Sequence, residues 1–250
     1  MSISKIMSDI GSKLAIEDEK LYFRIHRKRF VYILKKLMQL GCNPGAKILD
    51  VGCYPLQLYH MMENMGFDVY GIASKHETVT QDKIKIANIE TDILDFPQNY
   101  FDCIIFTEII EHLIIDPHIY LKKMHEVLKP GGSIIITTPN VNRLTSILLL
   151  CVGGNPFYPI EQAISNPHDD HIYFRHNREY SRKELNTLLI GSGFVSIKPS
   201  FFTAFDFRSR ANKKIGLPLA KTLMRCFLNA LTSVAKRYSD SLCAIAFKPK

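Results

Sequence analysis

Two short runs, FDCIIF at residues 101–106 and SIIITT at residues 133–138, restrict the fold more than any other feature of this chain. Each is apolar almost throughout and lacks the alternation of a strand with one wet face. Such strands lie inside a parallel sheet covered on both sides. Between them, residues 117–128 carry apolar side chains at helical spacing, and Lys129-Pro130-Gly131-Gly132 forms a turn. The same alternation runs through the rest of the chain. Residues 16–40 read as an amphipathic helix, with Ile25, Phe30, Ile33, Leu34 and Leu37 on its buried side. Strands are expected at 47–51, 69–72, 83–87, 194–197 and 241–247, and helices at 56–65, 184–190 and 217–235. Strand and helix in alternation predict an α/β fold with a mainly parallel sheet.

With 250 residues, 46% of them hydrophobic, the chain suits one large domain. The start, MSISKIMSDIGSK, lacks the apolar core of a signal peptide, and the greasy run at 144–152 is too short to span a bilayer. Six scattered cysteines without a CxxC pair read as small core residues in a reducing, cytoplasmic setting. The net charge of +8 is concentrated in two basic clusters, one including Arg24, Arg27, Lys28 and Arg29, the other in residues 208–237. These read as solvated helix faces, or as attraction to an anionic surface. No nucleic-acid motif accompanies the charge, which disfavours nucleic acid as a partner. A basic, apolar-striped helix over 217–237 could rest on the inner face of a membrane. The oligomeric state is not legible.

Residues 47–62, KILDVGCYPLQLYHMM, combine strand, tight turn and helix, the arrangement that lets a cofactor approach backbone at a strand's carboxyl end. Together ILDVGC, FDCIIFTEIIEHL, LKPGGSIIITTPN and a late GSGF resemble the class I S-adenosylmethionine (SAM)-dependent methyltransferases, of the type 11/12-like kind, in order and spacing. The segment 175–181 further resembles a bacterial and archaeal subgroup linked to surface-polysaccharide or lipid-linked sugar pathways. The resemblance implies a Rossmann-like seven-stranded, mostly parallel sheet with helices on both faces and an antiparallel last strand. The resemblance covers 45–250 as a methyltransferase domain, with insertions at about 141–180 and 201–238, and residues 1–44 before it read as a helical extension. The cofactor implied is S-adenosyl-L-methionine, with methyl transfer to an oxygen or nitrogen of a small-molecule, glycan or lipid-linked acceptor.

By the same resemblance, Asp50, Gly52, Cys53, Tyr54, Ser74, Glu90, Thr107 and Glu108 are cofactor-binding positions. Asp50 would organise the turn, and Gly52 would be glycine because a Cβ there presses into the cofactor. Tyr54 and Leu56 stand where the family has glycines, and Ala73 where it has the acid for the ribose hydroxyls, leaving Ser74 or Glu77 to substitute. Glu90 falls near the expected adenine amino group. His112 is the candidate general base, at the carboxyl end of a parallel strand. His171, Arg175, His176 and Arg178 are candidate acceptor contacts, since arginine forks suit phosphate or carboxylate. The run His168-Asp169-Asp170-His171 lacks metal-motif spacing, so no metal is assigned. A non-catalytic module with a blocked turn is the competing reading. A nicotinamide enzyme is disfavoured by the missing GxGxxG.

Overall fold

A computed structural model of the chain describes residues 2–74, 81–92, 95–157, 175–204 and 235–250. Within them, seven strands form one sheet: β1 (Lys47–Val51), β2 (Asp68–Ala73), β3 (Ile84–Ile86), β4 (Phe101–Thr107), β5 (Leu128–Pro139), β6 (Val195–Phe202) and β7 (Ser241–Phe247). Their order is β3-β2-β1-β4-β5-β7-β6. β7 is antiparallel to both its neighbours and the other pairings are parallel, as the resemblance implied. The chain steps outward from β1 to β3, then returns to β4 on the other side of β1. That reversal opens a crevice at the carboxyl ends of β1 and β4, the place where open α/β sheets bind ligands.

Six helices are described: α1 (Ile3–Lys13), α2 (Glu17–Gln39), α3 (Gln57–Asn64), α4 (Pro117–Val127), α5 (Leu144–Cys151) and α6 (Arg182–Gly191). They divide the core in two. On one face Ile48 of β1 packs with Ile33, Leu34 and Leu37 of α2, Met61 and Met62 of α3, and Ile6 of α1. On the other, Leu49 and Val51 join Tyr120, Leu121 and Met124 of α4 and Leu185 and Leu189 of α6. Side chains alternate across a strand, so the residue between Leu49 and Val51 must face α2. That residue is Asp50, only 2% exposed. A buried carboxylate thus points into the face lined by α2, and α2 has to answer it.

The structure departs from the sequence reading at several elements. α1 adds a second helix to the extension expected over 1–44; Ser2 Oγ caps it by accepting from Lys5 N at 3.3 Å, and Ile6, Met7 and Ile10 are buried along one side. The segment 141–180, expected as an insertion, contains the helix α5 near its start, whose Leu148, Leu149 and Leu150 are exposed. Pairing in β5 begins at Leu128, opposite Phe101, and resumes at Ser133 opposite Cys103, so Lys129–Gly132 is an excursion within the ladder. The helix expected at 217–235 and the membrane contact drawn from it lie outside the described residues. No helix among the described residues is long and apolar enough to cross a membrane.

α6 begins with the full reciprocal cap that its sequence spells. Ser181 Oγ accepts from Glu184 N at 3.3 Å, and Glu184 Oε2 accepts from Ser181 N at 2.9 Å. Ser181→Ala should therefore lower stability by about 1 kcal/mol in urea unfolding. A loss within error would show that α6 is held by Leu185 and Leu189 alone.

Candidate active site

The turn after β1 is bolted to β2. Gly52 N and Cys53 N both donate to Ile72 O, at 2.9 and 3.1 Å. Gly52 has φ +74°, a left-handed conformation. A Cβ built there would lie 2.3 Å from Ile109 Cδ1 and 2.9 Å from Cγ1. The glycine's own φ and the Ile109 side chain thus both disfavour a Cβ there before any ligand is bound. Gly52→Ala combines strain at positive φ with a forced shift of Ile109, and should cost about 2 kcal/mol or more. Urea unfolding of the ligand-free variant checks this, because a cofactor-only reason would leave its stability unchanged. Cys53 turns its thiol inward, where it leaves no room for a Cβ on Gly71 of β2.

Beside Gly52 lies a cavity of about 120 Å³ whose walls include Tyr22, Arg29, Asp50, Cys53, Tyr54, Thr107 and Glu108. Tyr54 is 46% exposed, so it stands at the rim. A shallower hollow of about 530 Å³ lies around Gly41, Asp102 and Lys129. It sits at the amino ends of the strands, and its Asp102 is already used: Lys129 Nζ donates to it at 2.6 Å and Lys47 N at 2.8 Å. The smaller cavity is the one at the crevice.

Arg29 is the residue that sequence reading misplaced. It was counted with Arg27 and Lys28 on a solvated face, but it is 5% exposed and enters the cavity from α2. Its position relative to Ile25 and Ile33, one helical turn away on each side, was the available signal. Arg29 Nη2 donates to Tyr22 Oη at 2.9 Å, and Nη1 lies 3.5 Å from Glu108 Oε2. Glu108 Oε1 accepts from Thr137 Oγ1 at 2.8 Å. Glu108 itself has φ +55°, a costly conformation for a non-glycine residue, kept at the carboxyl end of β4. Two buried atoms here have no partner: Asp50 Oδ2 and Arg29 Nε. Burial raises the Asp50 pKa to about 8, a rise that the positive charge of Arg29 opposes.

A second group lies one turn beyond β4. Glu111 is fully buried; Thr138 Oγ1 donates to its Oε2 at 3.0 Å. Burial, with Glu108 nearby, pushes its pKa well above the usual range. His112 Nδ1 is 3.0 Å from Arg175 O, and its ring stands edge-on to that of His176 at 4.9 Å. Burial lowers the His112 pKa to about 4, helped by His176 and opposed by the Arg175 carbonyl. The segment carrying Arg175 and His176 is stitched to the same spot. Asn177 N donates to Glu111 O at 2.7 Å, and Asn177 Nδ2 to His112 O at 2.6 Å.

Of the sequence-derived positions, Asp50, Gly52, Cys53, Tyr54, Thr107 and Glu108 therefore meet in one cavity, and His112, Arg175 and His176 meet beside it. Ser74 is exposed at the end of β2 and does not line the cavity. Glu90, placed by sequence near the adenine amino group, has a backbone-capping task. Its Oε1 accepts from Ile114 N at 2.7 Å and Ile115 N at 2.8 Å. Arg178 is turned to Glu184, 2.6 Å away, and over the Tyr180 ring. Glu77, His171 and the run 168–171 lie outside the described residues.

The chain is similar to known proteins. The family described as "Methyltransferase domain" matches residues 25–198. The ubiquinone biosynthesis O-methyltransferase of Bradyrhizobium diazoefficiens is 26% identical over 129 residues, 48% of this chain and 50% of that protein. The mitochondrial human enzyme of the same name is 33% identical over 118 residues, 42% of this chain and 31% of that one. The chain thus matches a third to a half of these relatives' length. Among solved structures, a SAM-dependent methyltransferase from Archaeoglobus fulgidus has a TM-score of 0.55 at 16% identity, covering 91% of this chain and 98% of that one. Phosphoethanolamine N-methyltransferase 2 of Haemonchus contortus, solved with S-adenosyl-L-methionine, has a TM-score of 0.59 at 15% identity, covering 98% and 60%. At such identities the structural likeness speaks for the fold.

Proposed function

The chain belongs to the methyltransferase-domain family, and we propose that it is a SAM-dependent methyltransferase that acts on a hydroxyl oxygen of a small-molecule, glycan or lipid-linked acceptor. The observation that carries the cofactor half of this reading is the pair of unpartnered buried atoms, Asp50 Oδ2 and Arg29 Nε. A buried polar atom without a partner is costly unless something completes it. One carboxylate and one guanidinium in the same cavity complement a ligand end bearing an ammonium and a carboxylate, which the methionyl part of SAM does. The cavity is smaller than the roughly 300–1,000 Å³ of whole-ligand pockets, so it suits that end alone.

Bound SAM supplies a methyl group already activated on a sulfonium. The chain's own residues then need to align the acceptor oxygen and exclude water. Arg175 and His176, on the segment tied to Glu111 and His112, are the residues this reading assigns to the acceptor. His112, expected as the base, is a weak one: with a pKa of about 4 it is neutral at working pH but takes up a proton poorly. We therefore assign it a positioning role. The curated relatives act, by their names, as O-methyltransferases, which favours oxygen over nitrogen as the methylated atom. The surface-polysaccharide connection rests on the resemblance of segment 175–181, and peripheral membrane contact on the basic segment 217–237.

The test is release of S-adenosylhomocysteine from SAM with matched acceptors: phenols with and without a polyprenyl chain, glycans, and primary amines. Turnover with hydroxyl acceptors and none with amines is expected. Turnover with amines alone would overturn the oxygen assignment.

A further inference from the structure

We propose that Glu111, His112 and His176 form a site for a divalent transition ion of the zinc class. The ligand atoms of these three side chains lie within 4.8 Å of one another. Each side chain has one atom engaged and one left over. Glu111 Oε2 accepts from Thr138 Oγ1, whereas Glu111 Oε1 is buried without a partner. His112 has Nδ1 on the Arg175 carbonyl, which accepts from an N–H. That bond fixes the tautomer whose Nε2 carries a free lone pair. His176 has Nδ1 3.5 Å from Glu179 Oε1, and Glu179 is itself held by Arg143. An imidazole whose second nitrogen is oriented by a carboxylate or a backbone carbonyl is the usual outer support of a metal-binding histidine. Here both kinds of support occur, one for each ring.

The donor set, two imidazole nitrogens and one carboxylate oxygen, favours zinc or a similar borderline ion over magnesium or calcium, which prefer oxygen alone. At bonds of about 2.0–2.1 Å, tetrahedral ligand atoms sit about 3.4 Å apart, so binding draws the group together by about 1 Å. His176 can supply that movement, since its side chain is 37% exposed. Three protein ligands leave a position open to water or to an oxygen of the acceptor. That last role rests on the proposed function, whereas ion binding does not.

Isothermal titration of tag-free protein with zinc chloride, without SAM or acceptor, tests the site. One ion per chain is expected, with magnesium chloride giving no competing heat. His176→Ala, at a surface position, should weaken zinc binding by more than about tenfold while leaving the melting temperature unchanged. Glu111→Gln should weaken zinc binding likewise, and His118→Ala, whose ring bonds Ser192 at the C-terminal cap of α6, should not. Absence of zinc binding at millimolar ion, or wild-type zinc affinity in His176→Ala, overturns the proposal. If zinc binds as stated but no hydroxyl acceptor turns over, the acceptor reading fails and the site stands.

Discussion

Arg29→Ala should weaken SAM binding by about 10- to 100-fold and destabilise the ligand-free protein by about 3 kcal/mol or more. The first figure is the loss of one charged hydrogen-bonding group to a ligand, about 1.5–3 kcal/mol. The second follows from what Arg29 leaves behind. Glu108 has a side chain only 13% exposed, and Arg29 is the cation beside it. Removing one partner of a buried ion pair strands the other charge and costs about 3–5 kcal/mol. The two effects separate in a double variant. Arg29→Met with Glu108→Gln removes both charges, so it should recover most of the stability but none of the affinity. Titration calorimetry with SAM and urea unfolding give the two readouts. Full affinity in the double variant would show that Arg29 serves Glu108 and not the ligand.

This prediction turns on a residue whose role could not be seen in a charge count. In the string Arg27-Lys28-Arg29 the three cations look alike. Only the helical period, with Ile25 and Ile33 on either side, distinguishes the one that faces the sheet. The sheet itself was legible because continuous apolar runs have one physical explanation, burial on both faces. Its antiparallel last strand followed from the family resemblance and not from the runs. Asp50 and Gly52 were legible as a turn, but the reason for the glycine was not. Ile109, which fills the space over it, arrives from the loop after β4. Glu90 shows the same limit: an acid was found at a plausible spacing, yet its partners Ile114 N and Ile115 N belong to a loop that no spacing rule connects to it. The meeting of Glu111 and His112 with His176 is more remote still, since it depends on how the segment after the insertion folds back. Contacts between distant segments carry these assignments, and a one-dimensional pattern contains none of them. α1 is a different case. Ile3, Ile6, Met7 and Ile10 have helical spacing in plain view, so a helix before residue 16 was legible within the extension expected over 1–44.

Asp50 links the cavity to pH. In the ligand-free protein its pKa is raised to about 8 by burial, while an unfolded aspartate titrates near 3.9. Between those values the folded chain holds one more proton than the unfolded chain. Stability should therefore fall as pH rises from about 4 to about 8, with a slope from this group of up to about 1.4 kcal/mol per pH unit. Above pH 8 the group contributes no further slope. Asp50→Asn removes the titrating group with little change of shape. The variant should track the wild type near pH 4 and exceed it in stability near pH 8, measured by urea unfolding across that range. The ligand reverses the preference. An ammonium beside Asp50 favours the carboxylate, so SAM binding near neutral pH should release a proton. Binding enthalpies in phosphate and in Tris should then differ by the ionisation heat of the buffers for wild type, and agree for Asp50→Asn. The variant should also bind SAM about 10-fold or more weakly, because a neutral amide replaces a charged acceptor. Buffer-independent enthalpy in the wild type would mean that Asp50 stays protonated in the complex. The ammonium would then be held by another group, and the unpartnered Oδ2 would be a cost of the fold rather than half of a binding site.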